Sequence, residues 1–196
     1  MASPEMSATL ETRLIEIVRA SPKVMDVLTR VRDAELPDWR LVAGSIYGTV
    51  WNALTNRPAD YGIKDYDICY FDPDTSWDAE DRIIKAVDQL LPEGLKPLVE
   101  VRNQARVHLW FEQRFGSPYA PLSCTDESLE RYLCYSDAIA VRLEADDSLS
   151  IAAPFGLEDM FGLILRPNPK RGATGNTKVK VAGIQARWPE VQFKET

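Results

Sequence analysis

The sequence predicts an α+β fold carrying a helical pair at its N-terminus. Three observations predict it. Short apolar runs of strand type alternate with segments whose apolar residues recur at helical spacing. Two further runs, AIAVRLE and SLSIAAP, flank Asp146-Asp147 and read as paired strands around a turn. Before residue 38 the pattern is helical twice over.

The first helix is marked by Leu10, Leu14 and Val18. Ser21-Pro22 then reads as an N-cap followed by proline at the first helical position. Val24, Val27, Leu28 and Val31 follow at i, i+3, i+4, i+7, one apolar face of a second helix, and Pro37 ends the region. WRLVAG, Trp39 to Gly44, predicts a short strand. Ser45 is placed to cap the next helix, striped by Ile46, Tyr47, Val50, Trp51 and Leu54. Thr55 to Gly62 is a loop by composition. GIKDYDICYFD supplies a strand, DPDTS a turn, and Ile83, Ile84, Val87, Leu90 and Leu91 a helix stopped by Pro92. KPLVEVR predicts another strand, Lys96 to Arg102. NQARVHLWFEQRFG is read as helix with Asn103 as its cap, Leu129 to Tyr135 as helix, and LEDMFGLILRP as a short helix ending before Pro167. PNPKRGATGNT, 167–177, is rich in proline and glycine and predicts a mobile basic loop; the tail after it has no assigned element.

The 196 residues, 45% apolar and 27% charged, suit one soluble domain with a sizeable core. Its parts are the N-terminal helices 1–37, a core 38–166, and the basic loop and tail 167–196. No apolar run approaches the ~20 residues that span a bilayer, so no membrane association is expected. No secretory signal is read at the N-terminus. Three unclustered cysteines, Cys69, Cys124 and Cys134, predict reduced thiols in a cytoplasm. A net charge of −7 makes long nucleic acid an unexpected partner. The single histidine, His108, excludes a multi-histidine zinc site and sits beside Trp110 and Phe111 like a structural residue.

Asp65 and Asp67 stand two apart in a strand-like segment. Strand side chains alternate, so both carboxylates face one way, with Cα atoms roughly 6.5–7 Å apart. Like charges on one face repel. Bound Mg²⁺ removes that repulsion, because Mg²⁺ prefers carboxylate and phosphate oxygens. Two such ions, about 3.5–4 Å apart, hold attacking and leaving oxygens in phosphoryl chemistry. Glu100 in LVEVR, with Val99 and Val101 directed to the opposite face, supplies a third acid from another strand. It is placed to hold metal on the acceptor side or to take the acceptor's proton. Gly44-Ser45 at a strand-to-helix junction presents free N–H groups and a positive dipole end to an anion. Arg102 and Arg106, with Lys170 and Arg171, are candidates to reach triphosphate oxygens. Tyr47 and Trp51 read as core.

LVAGS, DYDICYF and LVEVR together resemble the hydrophobic-Gly-Ser, Asp-x-Asp and third-acid pattern of the DNA polymerase β-type nucleotidyltransferase superfamily. More narrowly, GSIYGTVWN, GIKDYDICYFD, VEVRNQARVHLWFEQRFG, APFGLEDMFGLILRPNP and QARWP are similar to a bacterial family of nucleotidyltransferase-like proteins, over roughly residues 40 to 190. The resemblance implies a mixed β-sheet with helices packed mainly on one side, Mg²⁺ dependence and a nucleotide substrate such as ATP. It assigns catalysis and metal to Asp65, Asp67 and Glu100, and nucleotide contact to Gly44 and Ser45. The spacing of 21 residues from Gly44 to Asp65 exceeds what is usual in the superfamily, and the Thr55–Gly62 loop accounts for it. The expected activity is Mg²⁺-dependent transfer of a nucleoside monophosphate from a nucleoside triphosphate to a hydroxyl on a small molecule, a protein or an RNA end. The alternative is a nucleotide sensor or partner module on the same fold without transfer. A phosphohydrolase using water is a third reading.

Overall fold

A computed structural model describes residues 4–171 and 175–195. Helices α1 (Pro4–Arg19) and α2 (Pro22–Asp33) form the expected pair. Leu14 and Val18 of α1 are fully buried, as are Val24, Val27, Leu28 and Val31 of α2. Ser21 stands at the N-cap of α2 with Pro22 behind it, but its side chain makes no capping bond.

Five strands form the main sheet: β1 (Arg40–Val42), β2 (Tyr66–Tyr70), β3 (Val99–Asn103), β4 (Ala140–Leu143) and β5 (Leu149–Ala152). Their order is β3-β2-β1-β4-β5. Only β2 and β3 pair in parallel; the other three pairings are antiparallel. The sheet is therefore mixed, as expected. Helix α3 (Gly44–Leu54) packs on β1 and β2, α4 (Trp77–Leu90) on β3, and α2 on β4. Tyr66, Ile68 and Tyr70 are buried along β2, and Val101, in register with Ile68, is buried with them. Alternation then sends Asp67, Cys69, Glu100 and Arg102 to the other face.

Several local expectations change. Lys96–Leu98 is a 3₁₀ turn, not strand, because Pro97 has no N–H for a ladder; the strand starts at Val99. Asn103 does cap, accepting from Ala105 N–H, but the segment behind it is a 3₁₀ helix, Gln104–Leu109, followed by the short α5 (Phe111–Phe115). The helix read at Leu129–Tyr135 is two 3₁₀ turns, Asp126–Arg131 and Tyr135–Asp137. Helix α6 (Glu158–Phe161) is shorter than its pattern and leads into β6 (Ile164–Leu165).

The largest difference lies after residue 167. The segment read as loop and unassigned tail carries α7 (Gly175–Gln185) and β7 (Gln192–Phe193), the latter parallel to β6. The basic loop expected over 167–177 falls partly outside the described residues, at 172–174. Asn168, within it, is fully buried and donates to the Glu130 and Tyr132 carbonyls. Trp188, also fully buried, closes the tail onto α3. Its indole N–H donates to Asn52 Oδ1 at 2.8 Å. A Cβ at Gly48 would lie 3.4 Å from this indole, and one at Gly62, where φ is +66°, would lie 3.2 Å from it. Gly62 needs the absence of a side chain for its backbone conformation, and Gly48 leaves a tight fit against the indole.

Candidate active site

The site starts from strand register. Asp67 on β2 is the direct partner of Glu100 on β3, and Cys69 is the partner of Arg102. The parallel pair thus places two acids side by side with an arginine one step along. Asp65 precedes β2 and is exposed. A Cβ on Gly44 would stand 3.6 Å from Asp65 Oδ1. The three sequence motifs therefore meet at one place, despite the long Gly44–Asp65 spacing. Asn52 explains how: its amide donates to the Ala59 and Tyr61 carbonyls at 3.0 and 2.9 Å and folds the intervening loop back on α3.

The charges confirm the crowding. Burial, then the neighbouring Asp65 and Glu100 carboxylates, push Asp67 up to about 6, while Lys180 and Arg102 pull it the other way. Arg102 Nη2 lies 3.4 Å from Glu100 Oε2, and both side chains are at least half exposed. Three hard carboxylates suit a hard divalent cation. Among the described residues, no three acidic, histidine or cysteine side chains stand close enough together to hold an ion as placed.

At the N-terminus of α3, Ser45 lies inside the first turn instead of capping it; Ala43 takes the cap position with φ 53° and ψ −110°. That backbone region is sterically costly for a residue with a Cβ, by about 1–3 kcal/mol, and such strain gathers at functional sites. It follows from chain direction. Ala43 must bond Ile139 through its N–H in the sheet and still offer its carbonyl to Ile46 and Tyr47 in the helix. Ser45 is fully buried, and its hydroxyl has no hydrogen-bond partner among the described residues. An orphaned buried hydroxyl beside a helix N-terminus fits an anion site.

Arg106 does not join the others. Its Nε lies 3.0 Å from Glu80 Oε2, its Nη1 donates to the Thr75 carbonyl, and the guanidinium stacks over Trp77. It braces the start of α4 and does not line the cleft beside Asp67 and Glu100.

A cleft of about 390 Å³ opens beside Asp67, Glu100 and Arg102. Its far wall is aromatic, and Lys180 of α7 and Arg171 also line it. The Lys180 ammonium pairs with fully buried Asp137 at 2.7 Å. Burial opposes its charge, but Asp137 and Tyr47 outweigh burial and leave it above the usual lysine range. Sequence reading missed Lys180 and Asp137. The alternating Val179 and Val181 imitate a strand and Gly183 weakens a helix, so nothing marked α7 as an element facing the site.

Residues 29–193 match the family model described as Nucleotidyltransferase. The chain belongs to this nucleotidyltransferase family. Its fold is similar to a solved NMR structure described as revealing a CCA-adding enzyme head domain, with TM-score 0.73 and 26% identity over 94% of this chain and 96% of that one. A CCA-adding enzyme solved in complex with CTP aligns at TM-score 0.53 and 16% identity, over 96% of this chain but 43% of that enzyme, a likeness of fold alone. No curated protein matches the chain.

Proposed function

We propose that the chain is a Mg²⁺-dependent nucleotidyltransferase that moves a nucleoside monophosphate from a nucleoside triphosphate to a hydroxyl acceptor. One observation carries this reading: Asp67 stands in register with Glu100 across β2 and β3, at the cleft, while Asp65 sits beside Gly44 at the start of α3. Family membership supports a nucleoside triphosphate as donor.

The triphosphate lies against the N-terminus of α3, where Gly44 has no side chain to block it and the backbone N–H groups are unbonded within the helix. The acceptor oxygen forms a new bond to the α-phosphorus. The bond from that phosphorus to the bridging oxygen breaks, and pyrophosphate leaves with the electron pair. Glu100 takes the acceptor proton. Asp65, Asp67 and Glu100 would hold Mg²⁺, two ions in all, which supplies positive charge to the phosphoryl oxygens and the leaving group. Arg102 and Lys180 add positive charge on the cleft side. Among the described residues no helix is long and apolar enough to cross a membrane. Cys69 and Cys134 are buried free thiols, in keeping with a reducing cytoplasm.

Labelled nucleotide tests this directly. Each α-labelled triphosphate is incubated with protein and MgCl₂, and pyrophosphate and labelled adducts are followed. Pyrophosphate released with label on an acceptor supports transfer, provided Asp67→Asn abolishes it. Pyrophosphate with free monophosphate means hydrolysis. Saturable binding without turnover favours the sensor reading. That reading has one observation in its favour, since Arg102 already compensates part of the Glu100 charge.

A further inference from the structure

The geometry points to the cleft beside Glu100 as the acceptor pocket, and to the acceptor as a small aromatic molecule bearing a reactive hydroxyl and an anionic group. This rests on the nucleotidyltransferase reading above.

Position comes first. The cleft is lined by Asp67 and Glu100 but not by Gly44, Ser45 or Asp65. The triphosphate belongs on the α3 side, so the cleft opens on the opposite flank of the acids. In-line displacement needs that arrangement, with the attacking oxygen opposite the leaving pyrophosphate.

The wall defines the body of the ligand. Phe111 stands at ring-centroid distances of 4.8 Å from Phe115 and 4.6 Å from Tyr119, and Trp110 closes the group at 6.2 Å from Phe111. These rings are not core: Phe115 is 45% exposed and none of the four is buried. Contiguous apolar surface next to catalytic groups is a binding surface, and flat rings receive flat rings by offset or edge contact.

Charge defines the rest. Arg171 stacks over Phe111 and Arg131 over Tyr119, each with its guanidinium carbon 5.3 Å from the ring centroid. Both line the cleft, and neither has an ion-pair partner among the described residues. Among the described residues, Arg171 Nε is buried without a hydrogen-bond partner. Arg102 and Lys180, by contrast, are already paired with Glu100 and Asp137. Two unneutralised guanidiniums above aromatic rings call for a carboxylate, sulfate or phosphate at the far end of the ligand. About 390 Å³ lies in the size range of a pocket for one small molecule. The acidic chain, net −7, disfavours a long polyanion. In the reaction, the acceptor O–H gives its proton to Glu100, its oxygen bonds the α-phosphorus, and pyrophosphate departs.

The test measures binding apart from turnover. The full chain is titrated with 4-hydroxybenzoate, 4-hydroxyphenylacetate, their methyl esters and lactate. Trp110 fluorescence and backbone amide shifts are followed, with and without Mg²⁺ and a non-hydrolysable triphosphate. The aromatic acids should perturb residues 107–119 and bind about tenfold tighter than esters or lactate. Phe115→Ala and Arg171→Gln should each weaken them about fivefold or more. If no aromatic acid binds while Mg²⁺-nucleotide does, the inference is overturned and the transferase reading survives. If nucleotide itself perturbs residues 107–119 and Phe115→Ala weakens nucleotide instead, the cleft is a base pocket and the inference fails. A short oligoribonucleotide that binds there more tightly than the acids also overturns it, in favour of an RNA end. Acid binding without any nucleotide binding removes the acceptor role together with the transferase reading.

Discussion

Lys180 Nζ lies 2.7 Å from Asp137 Oδ2, and Asp137 has no exposed surface. Removing one member of a buried ion pair strands the other, typically at about 3–5 kcal/mol. Lys180→Met is therefore expected to lower the unfolding free energy by about 3 kcal/mol, at the lower end because Lys180 is partly exposed. Adding Asp137→Asn should recover part of the loss. Urea unfolding of the single and double variants measures both. Parental stability for Lys180→Met would mean that the pair is not what holds α7 to the Tyr135–Asp137 turn.

Asp67 gives a pH signature in chelator-treated protein. Its folded value of about 6 lies above an unfolded carboxylate at about 3.8. A raised acid binds its proton more tightly when folded, so its contribution is fully present below about 3.8 and is lost as pH rises through about 6. At about 1.4 kcal/mol per unit the loss is at most about 3 kcal/mol by pH 7. Asp67→Asn should flatten the stability profile between pH 4 and 7 and raise the melting temperature at pH 7. A wild-type profile that keeps rising through that window, with no change in the variant, contradicts the crowded-carboxylate account.

Glu100 is assigned to the acceptor side. Glu100→Gln should leave Mg²⁺-nucleotide affinity near that of wild type and slow transfer by about 10²–10⁴-fold, the usual worth of a general base. Calorimetry with nucleotide and a transfer assay separate the two effects. Lost nucleotide binding in a folded variant would move Glu100 to the nucleotide side.

Ala43 tests the strain before α3. At φ 53° and ψ −110° a glycine fits without a steric penalty. Ala43→Gly is expected to be neutral or to stabilise by up to about 1 kcal/mol, although glycine elsewhere loosens the unfolded chain and destabilises. A loss above about 1 kcal/mol would show that the buried methyl matters more than the strain.

The site was legible where one short segment contains both its chemistry and its geometry. Asp67 and Glu100 were legible as candidates because strand alternation puts a strand's acids on a definite face, while Asp65, just outside β2, was read from its spacing to Asp67. Gly44 and Ser45 were marked by a strand-to-helix junction, though the helix starts two residues earlier than a serine cap would have it. The bracing contact of Arg106 was not legible, because a phosphate-binding arginine and a helix-bracing one look alike until Glu80 is known to lie beside it. Lys180 was invisible for another reason. It reaches the acids only through long-range packing, and no local spacing encodes which distant helix returns to them.

The bond from Trp188 to Asn52 spans 136 residues of sequence. Synthesis therefore leaves a long interval in which the acids, the α3 junction and the aromatic wall exist without α7. During it, Gly48 and Gly62 face an empty slot instead of an indole, and Asn52 has nothing to receive. Folding closes the slot and delivers Lys180 to the cleft in the same event, because Trp188 and Lys180 belong to one short stretch. Closure of the core beside α3 and the placement of Lys180 at the cleft are thus coupled through one short stretch of chain.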